Sequence, residues 1–177
     1  LNYYVDEQPE HILIEYQRGF ANNCSHALSL LQGIYPNLWR NIENINILAM
    51  INDEFSTDPT ITVFCNNKKT KILALGYQNV EFSHLEIKVV YKKGYVRIHE
   101  CCNKADIQIS KASSSSNKGD KYYSVTKCVK SIGNESSSMT KGVVKKAIEI
   151  VSMGKGDDNF QDTVELTKFV LRVLKDV

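Results

Sequence analysis

Cysteine and histidine side chains near residue 100 are the first candidates for metal chemistry in this sequence. His99, Cys101 and Cys102 follow one another closely, and Cys65 or Cys128 could add a further ligand. Structural zinc sites usually contain short-spaced pairs such as C-x-x-C, and the sequence has none. On an extended strand Cys101 shares a face with His99, whereas Cys102 points to the other side. The pattern therefore predicts strand residues and no metal site.

A cysteine nucleophile with a histidine base is the second chemistry to consider. It requires that the two side chains meet in the fold beside an orienting group. His11, His26, His84 and His99 are the possible bases, and none of them lies in a local signature of a cysteine enzyme. The sequence therefore predicts no catalytic residue, no cofactor and no enzymatic activity.

A glycine-containing stretch, Gly154 to Asn159 (GKGDDN), resembles a phosphate-binding loop only superficially. It follows a predicted helix, whereas a dinucleotide fingerprint follows a strand. Its third motif position is Asn159, and Asp157 and Asp158 would repel a phosphate. The stretch is interpreted as the boundary between two helices.

Lysines cluster at the two predicted hairpin turns. Lys68, Lys69 and Lys71 belong to the first turn, and Lys92 and Lys93 belong to the second. If both hairpins bend the same way, these lysines form a positive edge that could bind nucleic acid, a phosphopeptide or a phosphoinositide. Lysines at turns also keep sheet edges from pairing with other chains. Anion binding is therefore an alternative hypothesis.

Length and composition indicate an ordinary globular protein. The chain has 177 residues, of which 42% are hydrophobic and 24% charged, and its net charge is +2. A chain of this length can bury about two-thirds of its unfolded surface, so it is expected to fold without disulfides or metal. The net charge is too small to indicate nucleic acid or an anionic membrane by itself. One domain over residues 1–177 is predicted.

The cysteine content bears on the cellular compartment. The five cysteines show no periodic spacing, which favours reduced thiols in an intracellular protein, cytoplasmic or nuclear. Two glycosylation sequons, at residues 23–25 and 134–136, keep a secreted protein possible. No apolar run is long enough to span a bilayer.

The stretch Asn79 to Cys102 predicts the central β-hairpin. With Lys93 and Gly94 at the tip, Val89 faces Ile98 and one face of the hairpin is apolar. A slip of one residue would move every side chain to the wrong face, so the hydrophobic pattern selects this parity. A phase change in the first arm predicts a bulge at Ser83 or His84.

The remaining elements are predicted from hydrophobic spacing. Ile12, Tyr16, Phe20 and Cys24 recur at intervals of four, which is typical of an amphipathic helix. The resulting prediction is an α+β fold with helices at about 9–52, a sheet at about 60–130 and helices at about 141–177. The sheet is a six-stranded, mostly antiparallel meander covered on one face by the N-terminal and C-terminal helices. A short buried strand at residues 47–51 is the alternative to the second helix.

These observations lead to a hypothesis about function. The chain is predicted to be a non-enzymatic protein-interaction domain, an adaptor or subunit of an intracellular assembly. Anion binding is the first alternative to this hypothesis, and a secreted host-interaction protein is the second. The partner is another protein on the open sheet face, or a second copy that binds through the C-terminal helix. The predicted contact residues are Lys88, Lys92, Lys93, Tyr95, Arg97 and His99.

Overall fold

The structure is a computed structural model that describes residues 8–52, 57–78, 80–110, 126–133 and 158–175. The strands are β1 (His11–Gln17), β2 (Ile42–Ile51), β3 (Thr60–Asn67), β4 (Thr70–Tyr77), β5 (Leu85–Tyr91), β6 (Gly94–His99), β7 (Lys104–Ser110) and β8 (Thr126–Gly133). The helical elements are a π-helix (Gly19–Cys24), α1 (Ser25–Ile34) and α2 (Asp158–Lys175). The predicted loop at 111–120, residues 134–140 of the loop predicted at 132–140, and the predicted helix at 144–154 lie outside the described residues. Residues 132–133 of that second loop belong to β8 instead.

The strands form one eight-stranded sheet in the order β2-β3-β4-β1-β5-β6-β7-β8. Strand β1 lies in the middle, parallel to β4 and antiparallel to β5. The other neighbouring pairs of the described sheet are antiparallel. The predicted six-stranded antiparallel meander is therefore wrong: the sheet is larger, and it is mixed.

The N-terminal segment accounts for one part of this error. Ile12, Ile14 and Tyr16 are buried and alternate with partly exposed or exposed residues, as in a strand with one face toward the core. Strand β1 pairs with β4 and β5, which are distant in sequence, and this pairing determines its conformation. Only the second half of the predicted first helix is helical, as the π-helix and α1.

The segment before residue 52 accounts for the other part of the error in the predicted fold. Residues Ile42–Ile51 form strand β2 at the edge of the sheet, not a second helix. Irregular pairing with β3 occurs between Glu43 and Asn46 and between Ile47 and Ala49. The predicted helical range of about 9–52 is therefore corrected to strand, helix and strand.

Both predicted hairpins are present, with the pairing shifted by two residues. In β5–β6, Val89 pairs with Val96 and Ile98 pairs with Ile87. In β3–β4, Val63 pairs with Ala74, whereas Ile72 was its expected partner. Because the shift is an even number of residues, each side chain stays on its predicted face.

The positions of the later strands agree more closely with the prediction from hydrophobic alternation. Strand β7, in which Ala105, Ile107 and Ile109 alternate with polar residues, lies in the predicted sheet region and pairs with β6 and β8. The predicted bulge is wrong, because β5 begins at Leu85, after Ser83 and His84. An irregularity lies instead between Ile107 and Gln108, where β7 pairs with β8.

Helices cover one face of the sheet. Helix α1 contacts α2, and α2 also contacts β2. Helix α2 buries Leu166, Phe169 and Val173 of its apolar side, with Phe169 stacked on Trp39 at 5.0 Å between ring centroids. The uncovered side, called the open face below, carries half-buried or exposed side chains on the central strands. They include Leu13, Glu15, Glu86, Lys88, Tyr95, Arg97 and Asp106.

Candidate functional site

The chain turns sharply where β1 ends, at Arg18 and Gly19. Both residues have positive φ angles, of 49° and 64°, which is the left-handed region that suits glycine best. A Cβ atom on Gly19 would lie 2.5 Å from Oδ2 of Asp58. Glycine therefore allows the carboxylate of Asp58 to approach the start of the helical segment.

Asp58 satisfies the first amides of that segment. The N–H groups of Ala21 and Asn22 donate to its two carboxylate oxygens at 2.7 and 2.9 Å. The N–H of Gly19 donates to Thr60 Oγ1 at 3.2 Å. Helix N-termini bind anions through such amides, and here a side chain of the same chain already occupies them.

The buried side chain of Tyr16 stabilises the chain next to this turn. The Tyr16 hydroxyl donates to the Ile61 carbonyl at 2.6 Å and accepts from the Ile61 N–H at 2.9 Å. Burial raises the pKa of Tyr16, so it remains a neutral phenol. A Cβ on Gly76 would lie 2.5 Å from Thr60 Cγ2. Tyr16, Gly19, Asp58, Thr60 and Gly76 are called the β1 corner below.

A cavity of about 250 Å³ lies beside this corner and is called the β1-end cavity. Its wall combines the end of β1, the helical segment, the residues before β5 and the β6–β7 turn. The lining residues are Gln17, Asn23, His26, Ser83, His84, Leu85 and Cys101. Two of the four histidines and one thiol therefore line one cavity, although they are far apart in the sequence.

His84 is held in the cavity wall by contacts of both its ring and its backbone. Its Nε2 lies 3.2 Å from Oε2 of Glu15. The rings of Tyr77 and Phe82 pack edge-on against the imidazole, with distances of 5.6 and 6.0 Å between ring centroids. The backbone N–H of Gln17 donates to the His84 carbonyl at 3.0 Å. Glu15 thus fixes the orientation of the His84 imidazole in the cavity wall.

The open face carries a second set of polar contacts. Arg97 forms a bidentate pair with Glu86, with N–O distances of 2.5 and 2.8 Å. The hydrogen bonds from Arg97 lower the pKa of Glu86. The Lys88 ammonium lies 4.3 Å from the centroid of the Tyr95 ring, a cation–π contact.

Asp106 continues this set of contacts toward β8. It accepts a hydrogen bond from the Ser131 hydroxyl at 2.6 Å, and its other oxygen lies 3.2 Å from Nε2 of His99. The hydrogen bond from Ser131, followed by that from His99, lowers the pKa of Asp106. The polar contacts of the open face therefore extend from β5 to β8.

The predicted partner-binding residues occupy three places. Lys88, Tyr95 and Arg97 lie together on the open face, and the first two are in contact. Lys92 and Lys93 form the β5–β6 turn at one end of the sheet, whereas His99 ends β6 and pairs with Asp106. Their role in binding a partner stays a prediction.

The lysines of the anion-binding alternative gather at one end of the sheet. Lys68 and Lys69 form the β3–β4 turn, and Lys71 pairs with His11. His11 pairs on its other side with Val90, close to the turn lysines Lys92 and Lys93. Parallel pairing of β1 with β4 therefore brings both turns to the end of the sheet where β1 begins.

The cysteines are dispersed. All five thiols are free. Burial raises the pKa of Cys24 and raises that of Cys65 to about 12. Burial raises the pKa of Cys102 to about 11, while Cys101 and Cys128 are exposed. Within the described residues no three side chains form a group that could hold a metal ion.

Sequence reasoning missed the groups that define this end of the sheet. Glu15 and His84 are 69 positions apart, and Asp58 caps amides 36 and 37 positions away. No local spacing signals such contacts. The only local signal was Gly19, a glycine after an alternating apolar run, which can mark the end of a strand.

Comparisons with known proteins place this geometry in a wider context. The chain matches no protein-family model and no curated protein sequence. It is similar in structure to the dehydrogenase MviM from Clostridium difficile, with a TM-score of 0.61 and 10% identity over 99% of this chain. It is also similar to the UDP-N-acetylglucosamine 3-dehydrogenase GnnA from Acidithiobacillus ferrooxidans, with a TM-score of 0.60 and 9% identity over 85% of this chain. The chain therefore shares the fold of part of these two proteins.

This finding corrects the functional interpretation. The prediction of a non-enzymatic adaptor, its two alternatives and the prediction of a non-enzyme are wrong, because the two similar structures named above are enzymes by name. The chain spans about half the length of these dehydrogenases, 58% of MviM and 48% of GnnA. The likeness establishes a shared fold.

A dinucleotide, the usual redox partner of a dehydrogenase, does not fit the described residues. Dinucleotide sites place the pyrophosphate on the amides of a glycine-rich turn between a strand and a helix. The turn at Gly19 has this order, but the Asp58 carboxylate already accepts from the amides of Ala21 and Asn22. A phosphate placed there would also be repelled by Asp58.

In the described residues no helix is both long and apolar enough to cross a membrane.

Proposed function

We propose that this chain is the sheet-forming part of a dehydrogenase and that residues other than the described ones hold the dinucleotide. The observation that carries the proposal is the structural match, in which 99% of the chain superposes on part of MviM. The capping of the helical segment by Asp58 supports the second half of the proposal. In such an arrangement the sheet supplies a wall of the substrate site.

The experiment uses the natural protein, isolated from its source cell at its natural length. It is supplied with nicotinamide dinucleotides and a panel of hydroxy compounds, beginning with UDP-N-acetylglucosamine because the name of GnnA specifies it. Reduction of the dinucleotide, followed by its absorbance, is the expected result. Failure to oxidise any compound of the panel, together with failure to bind a dinucleotide, would overturn the proposal.

A second measurement tests where the dinucleotide binds. The isolated 177-residue chain is titrated with reduced nicotinamide dinucleotide, whose fluorescence reports binding, and a heat-unfolded sample is the control. We expect that any binding leaves the backbone amide NMR signals of Ala21 and Asn22 unshifted, because Asp58 occupies these amides. A saturable shift of these two signals in the folded chain would contradict this part of the proposal.

The compartment and the partner belong to the same proposal. Five free thiols support an intracellular protein. The open face, with half-buried Leu13, Phe64 and Leu73, is proposed to bind another protein. The natural protein, isolated together with its partner, should then sediment with the mass of a complex. Leu73→Glu should lower that mass, while Leu171→Glu, at a side chain 58% exposed on α2, should not. A natural protein that sediments with the mass of its own chain alone would reject this association.

A further inference from the structure

Two amide side chains that line the β1-end cavity are held with their oxygens available. Asn23 Nδ2 donates to the carbonyls of Gln17 and Arg18 at 2.7 and 2.8 Å, which uses both of its N–H groups. Gln17 Nε2 donates to the Val80 carbonyl at 2.6 Å. Within the described residues no donor reaches either amide oxygen. The cavity therefore contains two oriented acceptors.

The other polar groups of the cavity have the same character. His84 lines the cavity and directs Nε2 to Glu15, and its Nδ1 has no hydrogen-bond partner within the described residues. The Cys101 thiol is used as a donor to the Ser83 carbonyl, with an S–O distance of 3.7 Å. Among the described residues that line the cavity there is no lysine or arginine. An anion would therefore meet acceptors, with no fixed cation among these residues to bind it.

From this arrangement we infer that the β1-end cavity binds the amino group of a small molecule, with the amide oxygens of Asn23 and Gln17 and the imidazole of His84 as acceptors. A protonated amine carries three donors, which matches these acceptors in number. The carboxylate of Glu15 behind His84 adds attraction for its positive charge. The inference does not depend on the proposed dehydrogenase function.

The size of the cavity limits the ligand. Its volume of about 250 Å³ is below the range of about 300–1,000 Å³ that is usual for drug-sized ligands. A free amine with a short carbon chain fits such a space. Ethanolamine is therefore the probe, glycerol tests hydroxyl groups without an amine, and tetramethylammonium tests positive charge without N–H donors.

The four histidines of the chain make the experiment internally controlled. His26 and His84 line the cavity, whereas His11 and His99 lie elsewhere on the sheet. The ring signals of all four are followed by NMR at constant pH while each probe is added to the folded chain. Ethanolamine should shift the signals of His26 and His84 and saturate at millimolar concentration, and the other two histidines should not respond.

Two pairs of variants sharpen the assignment. Glu15→Gln keeps an acceptor for His84 and removes the charge, so ethanolamine should bind about fivefold more weakly, whereas Glu43→Gln at the exposed edge of the sheet should have no effect. Cys101→Phe should fill the cavity from an exposed turn and abolish the response. Cys128→Phe, at the other exposed thiol, is its control.

Three results would overturn the inference. Absence of saturable shifts at His26 and His84 would show that the cavity binds no amine. Equal responses to glycerol or tetramethylammonium would show that the amino group is not what is recognised. A wild-type response in Cys101→Phe would show that the amine binds outside the cavity.

Discussion

The β1 corner and the open face are both polar regions of one sheet, but they are held in different ways. At the corner the Tyr16 hydroxyl, the Ile61 backbone groups and Thr60 are buried and hydrogen-bonded. On the open face the polar contacts are ion pairs near solvent, and the Arg97 side chain is 49% exposed. A buried group that loses its partner costs far more free energy than an exposed pair does.

This difference separates the part that determines the fold from the part that is free to acquire function. The corner joins β1 to β3, which is not its neighbour in the sheet, and thereby holds the turn at Gly19. The open face can exchange its ion pairs for contacts with a partner or substrate without unfolding the chain. Substitutions at matched residues in the two regions measure how large the difference is.

The largest effect is expected from the aromatic ring next to the corner. Phe20 is fully buried, and the centroid of its ring lies 6.2 Å from that of Tyr16 and 6.4 Å from that of Phe169. Phe20→Ala should lower the free energy of unfolding by about 3–5 kcal/mol through the cavity it leaves. Phe82→Ala, at a side chain 61% exposed, should change it by about 0.5 kcal/mol or less. Denaturant unfolding measures both, and similar losses would remove the distinction.

The next effect concerns one hydroxyl group. Tyr16→Phe keeps the ring but leaves the N–H and C=O of Ile61 without their buried partner, so the free energy of unfolding should fall by about 2–3 kcal/mol. Tyr95→Phe on the open face keeps the contact with Lys88, and a change of about 0.5 kcal/mol or less is expected. Equal values in thermal and denaturant unfolding would show that the corner bond is dispensable.

The same contrast explains which parts of the fold could be predicted from sequence. The two hairpins consist of neighbouring strands with short turns, so alternation alone indicated them and assigned their faces correctly. The pairing was off by two residues because an even shift leaves the hydrophobic pattern unchanged. The residues of β5 and β6 on the open face were predictable for the same reason, because alternation along a strand assigns each residue to one face.

Strand β1 could not be assigned in this way. Ile12, Tyr16, Phe20 and Cys24 are spaced by four, which places them on one side of a helix and also on one side of a strand. The choice is made by pairing with β4, 60 positions away, and with β5, 69 to 79 positions away. The β1-end cavity depends on this pairing, so the contact between Glu15 and His84 was equally hidden.

A smaller effect is expected from the carboxylate that caps the helical segment. Asp58→Ala leaves the N–H groups of Ala21 and Asn22 without their acceptor, and the loss of a cap costs about 1–2 kcal/mol. Asp106→Ala on the open face should cost about 1 kcal/mol or less, because its partners His99 and Ser131 are near solvent. Unfolding by urea at neutral pH compares the two, and a larger loss at Asp106 would reverse the ranking.

The smallest effect is one of pH. The folded-state pKa of Glu86 is lowered by Arg97, so the pair stabilises the protein above the unfolded-state pKa of about 4.3, and this contribution is lost as the pH falls through the folded-state value. Glu86→Gln should therefore cost about 0.5 kcal/mol at neutral pH, a value that allows for the exposure of Arg97. The cost should disappear in acid.

Urea unfolding at about pH 7 and about pH 3 brackets the titration of carboxyl groups and measures this difference. Added salt should reduce it further, since exposed pairs are screened, whereas the cost of Tyr16→Phe should stay the same at both pH values because its partners are backbone groups. If Glu86→Gln costs as much at acid pH as at neutral pH, side-chain packing and not charge holds Glu86 in place. The open face would then be built in the same way as the β1 corner.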